Sequence, residues 1–275
     1  MINDRVSDNA GSLLRLVPDV LRARDFRLYT KGGRRLIDLW QNGGAAILGH
    51  TPPSLLREIK NTASRGLYAP FPHFLEDRYR KALSRIFPGR TFRIYAAPPP
   101  ELHSLVAAGQ ASLWRPFLDP ANPLAVADNA PPVLIPVVPG IQGWRDSLPL
   151  GLCVLALAPH CSIPLPAGDF LPPVLLAAAA RGVYDLVAAA PQRAVLEYPR
   201  IAKALKTGNY WRAPQGIYLT PRQTPSEAEW ATLFRRFLGA GYLLPPVPSQ
   251  PAILPGIMSP GEEVKLADLL LTYME

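Results

Sequence analysis

The chain has few cysteines, and their placement argues against a disulfide framework or a zinc site. Its 275 residues contain two, Cys153 and Cys161, both in one apolar segment. The sequence has no Cys-x-x-Cys pair and no Cys/His spacing of the kind that binds zinc. We therefore expect reduced, partly buried thiols and no metal site.

Long apolar runs are also lacking. The longest, Leu148–Ala158, is too short to cross a bilayer, and His160 and several prolines follow it. The first residues, MINDRVSDNAG, lack the apolar stretch of a signal peptide. We expect a soluble, cytoplasmic protein.

Charge is sparse and mostly basic. Charged residues make up 18% of the chain against 48% hydrophobic residues, which is typical of a globular protein, and the net charge is +8. The 33 prolines predict many short, rigid connections. Because the arginines are scattered, we expect no nucleic-acid partner. A nucleic-acid binder remains an alternative reading, which salt-dependent retention on a polyanion would test.

The stretch from Phe26 to Gly49 has the clearest local pattern. Phe26–Tyr29 and Leu36–Trp40 read as two strands joined by the polar turn Lys31–Arg34, whose glycines accept a positive φ. The sequence His50-Thr51-Pro52-Pro53-Ser54 then reads as a helix start, with Thr51 as the N-cap. These features predict a β-hairpin followed by a helix.

Together these residues resemble the N-terminal segment of class III aminotransferases of the glutamate-1-semialdehyde aminomutase type, which are fold-type I enzymes that use pyridoxal 5'-phosphate (PLP). The matching residues are Gly32-Gly33, Leu36-Ile37-Asp38-Leu39, Gly49-His50 and Pro53. The resemblance implies an α/β fold with a mixed central sheet and a small α+β domain built from the N- and C-terminal parts. It also implies a homodimer, in which the predicted helix Leu13–Arg24 packs across the partner.

The C-terminal part resembles the same family. Ser226–Gly239 reads as an amphipathic helix, Gly239–Pro246 is similar to the family's Gly-(V/I)-Y-L-x-P-S segment, and Ile253–Glu263 is similar to its final strand and acidic turn. We therefore divide the chain into an N-terminal segment, 1–90, a shortened large α/β domain, 91–214, and a C-terminal small domain, 215–275.

The centre of the chain departs from the family pattern. The resemblance places the loop that holds the cofactor phosphate at 95–102, opening a predicted helix Glu101–Trp114. Pro98, Pro99 and Pro100 supply no N–H donors there, and Glu101 adds a negative charge where an anion would bind. The sequence therefore argues against a phosphate cradle at this position.

Asp185 is the best match to the family's aspartate that pairs with the pyridine nitrogen. It lies in Val183–Val187, which we predict as a strand after a helix that ends at Gly182. A carboxylate facing the pyridinium would keep the cofactor an electron sink. Alternatively, Asp185 lies at a turn or on the surface.

The resemblance also requires a Schiff-base lysine. Lys203 and Lys206 are the only lysines between Asp185 and the C-terminal domain, and Lys206-Thr207-Gly208 has some similarity to the family's lysine followed by glycine. Alternatively, both lysines lie at an ordinary helix end, where positive charges interact favourably with the helix dipole.

A remodelled pocket is a further hypothesis from placement alone. The aromatic loop Gly66–His73 corresponds to the family's active-site entrance, and His160 follows a predicted buried strand. The candidate ligand-binding residues are Tyr68, Phe71, His73, Arg93 and His160, which would favour a small anionic ligand. A structural role is the alternative for His160.

Two functions are compatible with this pattern. The first is an aminotransferase-like pseudoenzyme that has lost PLP catalysis and acts as a binding or structural protein. The second is an active PLP-dependent aminotransferase or aminomutase acting on an amino or keto acid, with Lys203 or Lys206 as the Schiff-base lysine and Asp185 opposite the pyridine nitrogen. Because the segments that build the fold match the family better than those that hold PLP, we favour the first, with no bound cofactor.

Overall fold

A computed structural model describes residues 13–139, 142–145, 148–194 and 197–271. The chain forms two compact units: one combines the residues up to Thr51 with those from Gln192 onward, and the other contains Pro52–Pro191. The fold is mixed α/β, as predicted. The domain boundaries that we placed at 90 and 214 stay predictions.

The first unit is built on the predicted hairpin, which the structure confirms. Strands β2 (Arg27–Thr30) and β3 (Arg35–Asp38) are antiparallel, with Leu28 opposite Leu36. Gly33, in the turn between them, has a φ of 75°, which a residue with a side chain rarely adopts. β1 (Val20–Arg24) pairs with β2, and β12 (Tyr242–Leu243) joins the other edge parallel to β3. This places the predicted family-like C-terminal segment directly beside the N-terminal hairpin.

A 3₁₀ helix and a second sheet complete the strands of this unit. The 3₁₀ helix Gln41–Gly44 follows β3, and the second sheet has the order β10-β11-β13. The strands of that sheet are β10 (Trp211–Gln215), β11 (Tyr218–Pro221) and β13 (Ala252–Ile253), all antiparallel to their neighbours.

The helices of this unit whose bounds lie within the described residues are α5 (Pro199–Thr207), α6 (Glu227–Ala240) and α7 (Pro260–Leu271). The predicted helix over 226–239 is confirmed, and Ser226 and Glu229 form a capping box at its start. Its apolar face is buried against Trp211, whose ring centre lies 6.2 Å from that of Trp230 and 5.9 Å from that of Phe237. The core of the first unit is therefore strongly aromatic.

The second unit contains a four-stranded sheet with the order β4-β9-β6-β5. Its strands are β4 (Thr91–Tyr95), β5 (Ala111–Trp114), β6 (Val133–Pro136) and β9 (Cys153–Leu157). β5 and β6 are parallel, whereas β9 runs antiparallel to both β6 and β4. A separate two-stranded ribbon consists of β7 (Gln142–Arg145) and β8 (Leu148–Gly151).

The described helices of this unit are α1 (Pro53–Ala63), α2 (Leu75–Leu83), α3 (Glu101–Ala107) and most of α4 (Pro173–Ala194), which continues past Pro191, the last residue of the unit. Among the described residues, α4 is the one helix long and apolar enough to cross a membrane, but 56% of that stretch is buried inside the protein. Such burial is what the core helix of a soluble fold shows.

Three local predictions are wrong. The stretch Leu13–Arg24 is not one helix, because Pro18 follows its first turn and Val20–Arg24 pairs as β1. The helix from Glu101 ends at Ala107, since Gly109 takes a φ of 69° and the chain returns as β5. The N-cap of α1 is Pro52 and not Thr51, and it makes no side-chain capping bond.

A fourth correction concerns Val183–Val187, which is helical and not a strand. Gly182 does not end the preceding helix either, because α4 continues through it. A Cβ at Gly182 would lie 2.2 Å from the carbonyl oxygen of Pro139. The glycine therefore serves a close backbone approach inside the helix, and not a helix stop.

Candidate functional site

The segment that follows β4 is held by contacts within the chain. The backbone N–H of Asp169 donates to the carbonyl of Ile94 at 2.8 Å, and Oδ2 of Asp169 accepts the N–H of Ala96, also at 2.8 Å. The hydroxyl of Tyr95 donates to the carbonyl of Pro166 at 2.8 Å. Burial raises the pKa of Tyr95, so it remains a protonated donor at neutral pH. Residues 166–169 therefore lie against the carboxyl end of β4.

Gly168 makes this approach possible. A Cβ at this position would lie 2.7 Å from the carbonyl oxygen of Ile94 and 3.1 Å from its nitrogen. Real Cβ atoms do not come so close to a backbone oxygen, so a side chain here would force the segment away from β4.

The residues at 95–102 do not fit the phosphate of PLP. A phosphate cradle needs backbone N–H donors at a helix N-terminus. Here Pro98–Pro100 have none, the N–H of Leu102 donates to the carbonyl of Pro99, and the N–H of Ala96 donates to the Asp169 carboxylate. The carboxylate of Asp169, bound to the Ala96 N–H, and that of Glu101, within the segment, would also repel a dianion.

Asp185 lies on α4, where its carboxylate is engaged on both oxygens. Oδ1 accepts from the guanidinium of Arg181, with Nε at 2.9 Å, and Oδ2 accepts from the hydroxyl of Ser54. This hydrogen-bonded pair raises the pKa of Arg181. The predicted strand is absent, and the role of Asp185 opposite a pyridine nitrogen stays a prediction.

Lys203 and Lys206 are exposed on α5, in the first unit. The structure therefore places both lysines on a helix, in agreement with the alternative interpretation of the sequence. Lys206 lies in the last turn, where its positive charge interacts favourably with the helix dipole. Asp185 belongs to the second unit. Their role as Schiff-base lysines stays a prediction.

The five residues of the hypothetical pocket have different surroundings. Tyr68 and Phe71 are 63% and 54% exposed, and Nδ1 of His73 accepts the N–H of Leu75 at 3.2 Å. The guanidinium of Arg93 donates to the carbonyls of Leu165 and Pro166, and His160 is exposed with a φ of 61°.

The same unit does contain a cavity of about 210 Å³, but other residues line it: Glu58, Asn61, Thr62, Arg65, Phe74, Leu75 and Arg78. Binding of an anion by the predicted five residues stays a prediction.

Asp38 and His50 form a hydrogen-bonded polar pair. The sequence identified both as matches to the family motif but did not predict their contact. Asp38 is 2% exposed, and its Oδ2 lies 2.8 Å from Nε2 of His50. Its Oδ1 accepts the backbone N–H groups of Trp40 and Gln41, both at 2.8 Å. The pair thus holds His50 against the end of β3. The short spacing of Leu-Ile-Asp-Leu and Gly-His was the signal that could have predicted it.

The first unit contains two further cavities. One, of about 370 Å³, is lined by residues around the start of α7, including Arg35, Glu262 and Lys265. The other, of about 540 Å³, lies beside the end of α5 and contains Arg222 and Glu229. The sequence did not predict a ligand site at these residues, because the capping box at Glu229 and the acidic turn at Glu262 are signals of helix starts and not of ligand binding.

Comparison with known proteins agrees with the fold. No protein-family model matches the chain. An uncharacterized protein of Treponema pallidum (strain Nichols) is 29% identical over 294 residues, which cover 89% of this chain and 91% of that protein.

Two solved structures are similar at low sequence identity. An ornithine δ-aminotransferase of Plasmodium falciparum has a TM-score of 0.64 at 10% identity and covers 93% of this chain and 92% of its own. A transaminase with PLP bound has a TM-score of 0.62 at 14% identity, with 98% and 97% covered. The chain therefore has the aminotransferase fold that the sequence predicted.

Proposed function

We propose that this protein is an aminotransferase-like protein that has lost PLP-dependent catalysis and acts by binding. The observation that supports this most directly is the bond between the Ala96 N–H and the Asp169 carboxylate at 2.8 Å. In this interpretation an internal carboxylate occupies one donor that would otherwise serve an anionic cofactor, and three prolines in the same segment supply none.

The remaining parts of the proposal come from the resemblance to class III enzymes. We expect a homodimer, because that family assembles its site at a dimer interface. The cytoplasmic location stays an expectation from the sequence. The similar structure of a transaminase with PLP bound favours one competing function, an active aminotransferase or aminomutase. That function would require Lys203 or Lys206 to reach the cofactor.

A cofactor-binding experiment separates the two functions. The purified full chain is titrated with PLP, the visible spectrum is recorded, and the adduct is reduced with borohydride and mapped by peptide mass spectrometry. We expect no saturable aldehyde–lysine band, and only weak labelling spread over the exposed lysines. Lys81, on α2, serves as the reference for such unspecific labelling.

The variants Lys203→Gln and Lys206→Gln provide the decisive control. A stoichiometric band that disappears in one of these variants and persists in Lys81→Gln would refute the proposal and establish a PLP enzyme. Equal, weak labelling in all the variants supports the loss of the cofactor site.

A further inference from the structure

The 540 Å³ groove of the first unit has a size suited to a small molecule, since such sites measure about 300–1,000 Å³. It lies between the end of α5, the turn after β11, the start of α6 and the end of α7. Its lining residues are Thr207, Gly208, Asn209, Tyr210, Arg222, Gln223, Thr224, Pro225, Glu229 and Leu271. Two of them carry a charge, one positive and one negative.

Arg222 brings the positive charge. Its backbone N–H donates to the carbonyl of Tyr210 at 2.7 Å, which fixes the turn after β11. Its guanidinium makes one long contact, from Nη2 to the carbonyl of Leu205 at 3.5 Å. Within the described part of the chain, Nε and Nη1 donate to no protein group, and Nη2 keeps a second N–H. One parallel donor pair, Nε with Nη2 or Nη1 with Nη2, is therefore available to a carboxylate.

Glu229 brings the negative charge, and the capping box of α6 holds it in place. Its Oε2 accepts from the N–H of Ser226 at 2.7 Å and from the Ser226 hydroxyl at 2.8 Å. These bonds lower the pKa of Glu229, so the side chain is ionised at neutral pH. Its Oε1 accepts no hydrogen bond from any residue that the structure describes, which leaves one oxygen available to a cationic donor.

The other polar lining groups are neutral. Thr224, Asn209 and Gln223 offer a hydroxyl and two amides, and the Thr207 hydroxyl donates to the carbonyl of Lys203 at 2.6 Å. A simple anion in this groove would meet the Glu229 carboxylate, and a simple cation would meet Arg222. A molecule that carries both charges satisfies both side chains.

We propose that this groove binds a zwitterionic small molecule, a free α-amino acid, with its carboxylate on Arg222 and its ammonium group on Glu229. The groove lies within the first unit, so the proposal does not depend on whether the chain binds PLP. It assigns a ligand site to the turn after β11 and the start of α6.

The test uses the purified full chain and a panel of the proteinogenic amino acids in a thermal-shift assay. Each amino acid that raises the Tm is then compared by calorimetry with the keto acid and the amine of the same carbon skeleton. We expect the amino acid to bind more tightly than either, because each analogue leaves one charged side chain without its partner.

Two variants remove one charge each. Arg222→Gln should weaken binding of the amino acid and of the keto acid roughly 10- to 100-fold, the equivalent of one hydrogen-bonded charge. Glu229→Gln should weaken binding of the amino acid by a similar factor without weakening binding of the keto acid. Because glutamine also completes a capping box, the start of α6 should survive this change.

Arg235→Gln is the matched control, since Arg235 is an exposed arginine of α6 that does not line the groove. It should bind the amino acid as the unchanged protein does. If no amino acid raises the Tm, or if binding survives both Arg222→Gln and Glu229→Gln, the proposal is wrong. Equal losses in Arg235→Gln would also overturn it, because the effect would then reflect net charge alone.

Discussion

Asp169 accepts a hydrogen bond from the backbone N–H of Ala96 at 2.8 Å, across 73 positions of the sequence. The bond joins the end of β4 to the segment before α4. In our interpretation of residues 95–102, the Asp169 carboxylate takes the place of an external anion on this N–H.

The first prediction concerns this bond. Asp169→Ala should lower the free energy of unfolding by about 1 kcal/mol, because the Ala96 N–H loses its acceptor in a partly solvated position. Asp169→Asn keeps a carbonyl acceptor and should lower the free energy of unfolding by less. Urea unfolding measures both. Asp128→Ala, at an exposed aspartate, is the control and should change stability by less than about 0.5 kcal/mol.

The second prediction concerns Gly182, inside α4. Gly182→Ala should destabilise the protein by about 3 kcal/mol, because its Cβ would lie 2.2 Å from the Pro139 carbonyl oxygen and the backbone would have to move. Thermal unfolding followed by circular dichroism measures the loss. Gly239→Ala, in α6, has no atom within 4 Å of the added Cβ and should stabilise by about 0.5 kcal/mol. If Gly182→Ala leaves the stability unchanged, α4 and Pro139 do not approach each other closely.

The parts of the fold that sequence reading predicted are those with local signals. The hairpin around Gly33 follows from two short apolar segments and a turn whose glycines accept a positive φ, and α6 follows from its apolar face. These signals act within a few residues, so they do not depend on the rest of the chain.

The failures around Asp185 and in the candidate pocket have their physical origin in long-range packing. Val183–Val187 is a short, mostly apolar run with a single charge at Asp185, and such a segment suits a buried strand or a buried helix equally. The choice is made by the packing of α4, which the sequence does not reveal. Likewise the partners of Arg93 and Ala96 lie about 70 residues away. A candidate site built from such contacts cannot be read from spacing alone.

The third prediction concerns the two thiols. Cys153 has no exposed surface, and burial raises its pKa to about 12, so it has almost no thiolate at pH 8. Cys161 is partly exposed. We expect one thiol to react quickly with Ellman's reagent in the folded protein, and two after denaturation. Cys161→Ser should abolish the fast reaction, whereas a fast reaction that remains would show that β9 opens readily.

The fourth prediction concerns the acid stability of the first unit. Glu262 accepts from Nε and Nη2 of Arg27 at 3.1 and 2.7 Å, and its Oε1 lies 3.2 Å from Nη2 of Arg35. Burial acts to raise the pKa of Glu262, but the bonds from Arg27 and Ser259 outweigh it, so the pKa lies below its usual 4.5. Because the pKa of Glu262 is lower in the folded protein than in the unfolded chain, the charged side chain stabilises the fold at any pH above the unfolded-state pKa. This contribution is lost as the pH falls through the folded-state pKa.

Glu262→Gln should therefore cost about 2 kcal/mol at pH 7, and the difference from the unchanged protein should shrink as the pH falls from about 5 to 3. Urea midpoints measured across this range provide the comparison. Glu101→Gln, at an exposed glutamate in the first turn of α3, is the control and should change the urea midpoint at pH 7 far less than Glu262→Gln does. A gap for Glu262→Gln that stays constant down to pH 3 would mean that packing, and not the charge on Glu262, accounts for its contribution.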